Sequence, residues 1–339
     1  MERPIFIVGC PRSGTTLVQL MLHAHPRIAI PPETRFLLPA YFRRQEFGDL
    51  RTESGRRALG RWIVGEKEGR FPDLGLDAEA VVAEIMAAPP TIGSVLGTVL
   101  RAYARSHGKP RWGDKRPTYV RYLPELHRLF PDAQFVHVVR DGRDCVGSLK
   151  QMPWWKQDSY YSMATWAQAV DSGHAAGRRL SAGSYYELQY ESLVADPARE
   201  LTALCGFLGE AFDTGMLRPY QLASVPVSRK KHHARTRGAV DTAAVRTWEN
   251  RLEPWEATLA EHVLGGRLES YGHELSGLGR PSPAHLARYL GTLAKARTEV
   301  VRRNSRDALR RFGEDDVACA LVEATDYGRV TRAFSSRRP

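Results

Sequence analysis

The chain has 339 residues, enough for one large α/β domain or two ordinary ones with a full hydrophobic core, which excludes a small disulfide-stapled scaffold. Its four cysteines, Cys10, Cys145, Cys205 and Cys319, are far apart with no CxxC pair, and there is no signal peptide or 18-residue apolar run, so a reduced, cytoplasmic protein outside the membrane is expected. The net charge is +11, but residues 280–339 hold 13 Arg and Lys against 7 Asp and Glu, so over half of the excess lies in the tail and the modestly basic remainder suits an anionic ligand.

Ile5-Phe6-Ile7-Val8-Gly9 reads as a buried strand, Cys10 to Thr16 as a phosphate loop and Leu17 to Leu22 as a helix. Gly9 and Gly14 have P-loop spacing and Thr16 takes the hydroxyl position, but Thr15 stands where a nucleoside triphosphatase has its lysine. The backbone cradle for a terminal phosphate remains, the group that reaches the β- and γ-phosphates is gone, and Arg12 offers a different cation. Ile28-Ala29-Ile30, followed by Pro31-Pro32-Glu33-Thr34, predicts a second strand parallel to the first. Residues 35–110 are mostly helical in pattern, with breaks near Gly69-Arg70-Phe71-Pro72 and Pro89-Pro90, and are expected to pack around the sheet and line part of an acceptor pocket.

Arg111 to Lys115 is a short strand, followed by Pro117 and an amphipathic run through Val120, Tyr122, Leu123, Leu126, Leu129 and Phe130. Ala133 to Val139 reads as a buried parallel strand, and Arg140-Asp141-Gly142-Arg143-Asp144 leads into a helix. Ser184 to Tyr190 is a further strand, and Pro197 suits the first turn of the helix carrying Leu201, Leu204, Phe207 and Leu208. Alternating strands and helices predict an α/β fold with an open, mostly parallel sheet flanked by helices. Gly277, Gly279, Pro281 and Pro283 divide an α/β domain over residues 1–279 from a basic helical extension over 280–339, whose apolar stripe is Leu286, Leu290, Leu293 and Val300-Val301.

Arg12, Glu33, Lys115, Arg140 and Tyr190 each fall at or just past the end of a different strand, where open α/β sheets bind their ligands. Two motifs among these positions resemble those of the PAPS-dependent sulfotransferases, in particular the bacterial branch similar to tyrosylprotein sulfotransferases. Ile7 to Leu17 resembles that family's loop for the 5′-phosphosulfate, and Phe135 to Asp144, continued to Ser148, resembles its site for the 3′-phosphate. Tyr190-Glu191-Ser192-Leu193-Val194 with Asp196-Pro197 is similar to a third landmark, and the likeness spans roughly residues 3 to 275.

The resemblance implies a P-loop-like fold and transfer of the sulfuryl group from PAPS (3′-phosphoadenosine 5′-phosphosulfate) to a hydroxyl of a small molecule such as a phenol or sugar. PAPS is then the co-substrate, and no metal is expected. A donor with phosphate at two ends of a ribose needs two separated anion sites. Ser13, Gly14, Thr15 and Thr16 at a helix N-terminus supply one, and Arg140 with Ser148 supplies the other. By resemblance Arg12 and Lys115 stabilise the transferring sulfuryl and the departing phosphate, Glu33 removes the acceptor proton, and Tyr190 belongs to the donor site. A kinase with a degenerate P-loop is disfavoured by Thr15 and by the lack of a Walker-B strand. A nucleic-acid-binding role for the tail is disfavoured because no recognised module is present.

Other residues have competing readings. His232-His233, within the basic run Ser228 to Arg235, fits a cationic flap over the nucleotide better than a metal site. His137 and Trp248, the latter with Val245 and Leu252 at helical spacing, read as structural. Cys10 and Cys145 are expected to lie close together as small packing residues. Met152-Pro153-Trp154-Trp155 and Tyr160-Tyr161 line an acceptor cleft or pack as core.

Overall fold

The structure, a computed structural model, describes residues 3–219, 242–311 and 318–322. Five strands, β1 (Ile5–Gly9), β2 (Ile28–Ala29), β3 (Arg111–Lys115), β4 (Gln134–Val139) and β5 (Tyr185–Gln189), form one sheet in the order β2-β3-β1-β4-β5. Every pairing is parallel, with Ile7 opposite Lys115 and Gly9 opposite Val138. The apolar runs explain why both faces are buried: alternate side chains of β1 enter different cores, Phe6 and Val8 in one, Ile5 and Ile7 in the other.

Helices cover both faces: α1 (Thr15–Ala24), α2 (Leu37–Phe42), α3 (Glu53–Gly65), α4 (Ala78–Ala87), α5 (Ile92–Ser106), α6 (Leu123–Leu129), α7 (Gly142–Lys150), α8 (Ser159–Gly177), α9 (Tyr190–Ala195), α10 (Pro197–Leu208), α11 (Pro254–Ser270) and α12 (Pro283–Arg311). Their starts are written in the sequence: Thr91 caps α5 by accepting from Ser94 N–H, and Asp196 caps α10 ahead of Pro197. No helix among the described residues is long and apolar enough to cross a membrane.

The first two strands are parallel, but β3 lies between them. After β1 the chain moves toward β2, whereas after β4 it moves toward β5, so their exit loops part above the sheet. That switch point between β1 and β4 opens a crevice, flanked by the phosphate loop on one side and Arg140 on the other.

The tail helix α12 packs with a stripe that differs from the expected one. Tyr289, Ala296 and Asp307 are buried and Leu286 and Leu293 partly so, while Leu290 is 53 % and Val301 63 % exposed. The stripe follows the 3.6-residue period through Tyr289, which takes the inward position that Leu290 misses by one residue. His285 stacks on Trp255 with ring centroids 4.2 Å apart, and Asp307 accepts from Tyr41 Oη at 2.9 Å and pairs with buried Arg44 at 3.3 Å. Farther on, Leu321 N–H donates to Leu129 O at 2.7 Å. Trp248 is buried as expected, but in a 3-10 turn (Thr247–Asn250), with Val245 and Leu252 packing on separate cores.

Candidate active site

Strand β1 ends at Gly9, and Cys10 to Gly14 turn the chain into α1. Ser13 N–H closes the loop on Cys10 O at 3.1 Å. Gly14, the residue before α1, has φ 99°, and a Cβ there would sit 2.4 Å from the Tyr190 ring, so only glycine fits both backbone and neighbour. Arg12 also takes a left-handed conformation, φ 75°, an uncommon strain for a long side chain and one typical of sites where the backbone must approach a ligand. The N–H groups of the first turn of α1 point toward the crevice, as helix N-termini require. The Ser13 hydroxyl is buried with no hydrogen-bond partner among the described residues.

The cation missing from the loop arrives from the neighbouring strand. Lys115 Nζ, at the end of β3, lies 3.5 Å from Thr16 Oγ1 and donates to Glu33 Oε2 at 3.2 Å. Arg116 and Arg35 stand 3.9 Å from the other oxygen of Glu33. Burial alone would raise the Glu33 pKa, but the charges of Lys115 and Arg116, the Lys115 hydrogen bond and the charge of Arg35 outweigh it and hold the carboxyl below its ordinary value.

Behind this pair is Asp114, fully buried. It accepts from Thr34 Oγ1 at 2.6 Å and Tyr119 Oη at 2.9 Å, with Thr34 N–H at 3.4 Å. Burial pushes its pKa up to about 6 despite these bonds. Asp114 thus ties β3 to the residue next to Glu33.

On the far side of β1, the Arg140 guanidinium donates to Arg12 O at 3.0 Å and to Ala244 O, and lies 4.7 Å from the centre of the Tyr190 ring. Its Nε is buried without a partner among the described residues. Arg12 Nε donates to Ser148 Oγ at 3.0 Å, so the Arg12 side chain faces α7 rather than Lys115. Burial first, then the Arg140 charge and more weakly that of Arg251, lower the Arg12 pKa: three arginines crowd one spot. Nothing in the spacing of the sequence singles out Arg251, which reaches the site only because its Cβ lies 3.0 Å from where a Cβ on Gly147 would be. Cys10 and Cys145 are in contact between the two motifs, and burial pushes the Cys145 thiol up, as suits packing rather than reactivity.

A sequence model described as the sulfotransferase family matches residues 4–214, well over half of the chain and the span that carries both loops. The chain belongs to the sulfotransferase family. A putative protein-tyrosine sulfotransferase of Caenorhabditis briggsae is 26 % identical over 263 residues, 73 % of this chain and 81 % of that one. Protein-tyrosine sulfotransferase 2 of Gallus gallus is 28 % identical over 229 residues, 66 % of this chain and 55 % of that one, so the chain spans about half of this longer relative. Among solved structures, the sulfotransferase domain of the Synechococcus PCC 7002 olefin synthase superposes with a TM-score of 0.57 at 25 % identity, covering 81 % of this chain and 97 % of that domain.

In this sulfotransferase the remaining singled-out residues distribute as follows. Trp154 is 48 % exposed and meets Trp155 edge to face, and Trp155 Nε1 donates to Ser162. Tyr160 is buried as core beside the stacked pair of Trp255 on α11 and His285 on the tail helix, 5.4 and 6.0 Å from their ring centres. His137 is buried and bonded to Tyr185 Oη at 2.7 Å. His232 and His233 lie outside the described residues. No group of three or more His, Cys, Asp or Glu able to hold a metal occurs among the described residues.

Proposed function

We propose that this sulfotransferase moves the sulfuryl group of PAPS to a phenolic hydroxyl, with Glu33 as general base. The observation that carries the reading is the position of Lys115, whose ammonium contacts Thr16 of the donor loop and Glu33 together. The donor would be held at two ends. The first-turn N–H groups from Ser13 to Thr16, with the free Ser13 hydroxyl, suit the 5′-phosphosulfate; Arg140, Ser148, Arg12 and Arg251 suit the 3′-phosphate. Ser13 Oγ and Arg140 Nε, buried donors without a partner among the described residues, fit an oxyanion at each end of the donor.

PAPS, when bound, supplies the sulfuryl group and a phosphate leaving group, and the protein supplies positioning and charge. Lys115 can offset the charge that grows on the departing phosphate, and the crowded arginines hold the nucleotide in line. Glu33 accepts the proton of the attacking hydroxyl. Its three cationic neighbours keep it ionised at neutral pH but weaken it as a base, so it suits an acceptor that surrenders a proton readily. A phenol, with a pKa of about 10, does so far more readily than an alcohol. The names of the relatives, which specify protein tyrosine, support a phenolic acceptor as well.

The test is Glu33→Gln, assayed with PAPS and a series of substituted phenols beside a tyrosine peptide. Affinity for adenosine 3′,5′-bisphosphate should stay unchanged while turnover falls by roughly 10²- to 10⁴-fold, with the defect shrinking as the phenol becomes more acidic. Near-normal turnover on a weakly acidic phenol would remove Glu33 from the mechanism, with His232 or His233 as the next base to test. Preference for aliphatic alcohols would reject the phenolic acceptor, and the ratio of peptide to free phenol decides between a protein and a small-molecule substrate.

A further inference from the structure

The segment from Ala244 to Leu252 lies across α7, fastened mainly by one side chain. Asp144, in the first turn of α7, is completely buried. Its Oδ1 accepts from Thr247 Oγ1 at 2.9 Å and Trp248 N–H at 2.8 Å; its Oδ2 accepts from Arg246 N–H at 3.0 Å and lies 3.3 Å from Arg140 Nη2. Arg246 is held in a left-handed conformation, φ 57°, that a non-glycine residue adopts at a cost. The Arg143 guanidinium lies 4.3 Å from the centre of the Trp248 ring, and Lys150 donates to Arg251 O at 3.3 Å. The next residues therefore bring Arg251 against Gly147, one position from Ser148.

We infer that Asp144 is a positioning residue for donor recognition: by holding residues 246–248 it seats Arg251 beside Arg12 and Ser148, and so sets the preference for a nucleotide that carries a 3′-phosphate. The inference rests on the reading of the Arg140–Ser148 side as the 3′-phosphate site. A carboxylate beside several arginines has a competing role, that of a counter-charge which weakens anion binding. The two roles predict opposite signs. If Asp144 only offsets positive charge, neutralising it tightens the site for phosphate; if it positions the 246–248 turn, neutralising it loosens the site. The amide of Asn can keep both bonds on the Oδ1 side, but its NH₂ on the other side faces Arg246 N–H and Arg140, donor against donor.

The full chain and Asp144→Asn are titrated by calorimetry with adenosine 3′,5′-bisphosphate and with adenosine 5′-phosphosulfate, which lacks the 3′-phosphate. Asp144→Asn should weaken the bisphosphate by about tenfold while changing the phosphosulfate by less than about twofold. Adding Arg246→Gly, which relieves the left-handed strain, should recover part of the lost affinity. Thr247→Val removes a single bond and should shift the same ratio in the same direction by a smaller factor, and it carries the test if Asp144→Asn does not fold. Tighter bisphosphate binding, or equal loss for both nucleotides, overturns the positioning role. If Arg140→Ala weakens the bisphosphate but Asp144→Asn and Thr247→Val leave it unchanged, the inference fails alone. If the parent chain does not prefer the bisphosphate, the donor-site reading falls and the inference falls with it.

Discussion

Asp114 should make the folded protein less stable at neutral pH than its amide counterpart. Its carboxyl is fully buried with Thr34, Tyr119 and the Lys115 N–H as its hydrogen-bond donors, and its pKa of about 6 compares with 3.8 for an exposed aspartate. The folded state therefore binds the proton more tightly than the unfolded state. Its favourable contribution is complete below about pH 3.8 and lost as pH rises through 6, so at pH 7 ionisation costs roughly 3 kcal/mol. Asp114→Asn removes the charge and keeps one oxygen for Thr34 Oγ1 and Tyr119 Oη, both of which bond the same atom. What it weakens is the contact with backbone N–H groups, those of Thr34 and Lys115, worth about 1 kcal/mol. The variant should be more stable than the parent by about 2 kcal/mol at pH 7 and slightly less stable at pH 4. Urea unfolding of both proteins at the two pH values reads the difference directly. A variant that is equal or weaker at pH 7, or a gain that persists at pH 4, would refute the reasoning. Turnover should change little in the stabilised variant, because the amide keeps the Thr34 Oγ1 bond that fastens the residue next to Glu33.

The remaining expectations concern the donor site and the tail. Arg140→Ala should weaken adenosine 3′,5′-bisphosphate by about 1.5 to 3 kcal/mol and leave adenosine 5′-phosphosulfate nearly unaffected; equal losses in calorimetry would reject the assignment. Asp307→Ala removes a buried carboxylate from Arg44 and Tyr41 and should destabilise the fold by about 3 kcal/mol in denaturant titration, with donor affinity intact. Cutting the chain at residue 280 should likewise leave bisphosphate binding in place while lowering the unfolding midpoint; loss of binding in a folded truncation would give the tail a part in donor recognition.

Strands β1 and β4 were legible because each is an apolar, β-branched run, as a parallel sheet buried on both faces demands, whereas β3 (Arg111–Lys115) and β5 (Tyr185–Gln189) are polar or aromatic and carry a weaker signal. Gly9, Gly14 and Thr16 identified the loop because their roles are local: a turn, a left-handed residue and a hydroxyl at a helix start. The proximity of Lys115 to Thr16 and Glu33 was only implicit, since it depends on β3 inserting between β1 and β2, a choice that no local signal encodes. Arg251 and Asp144 were illegible as site residues for a similar reason. Asp144 meets Arg246 and Trp248 across more than 100 positions through their backbone N–H groups, which every sequence possesses, and Arg251 is carried in by the same segment. The tail stripe was misread by one residue because leucine was preferred to tyrosine as the inward side chain, whereas burial on α12 follows the helical angle.

The strap that Asp144 holds has a consequence for the order in which the protein is made. All five strands have been synthesised once residue 189 is added, so the sheet and both exit loops can assemble on a nascent chain. The partners of Asp144 arrive only at residues 246–248, more than 50 positions later. At a ribosomal pace of roughly 5–20 residues per second, the carboxylate waits several seconds with Arg140 as its neighbour but without the three donors of residues 246–248. Because these contacts are remote in sequence, they form late and raise the entropic cost of closure. Closure of the Arg140–Ser148 side is therefore timed to the arrival of residues 246–248, and a chain arrested between strand β5 and Trp248 lacks the segment that covers α7.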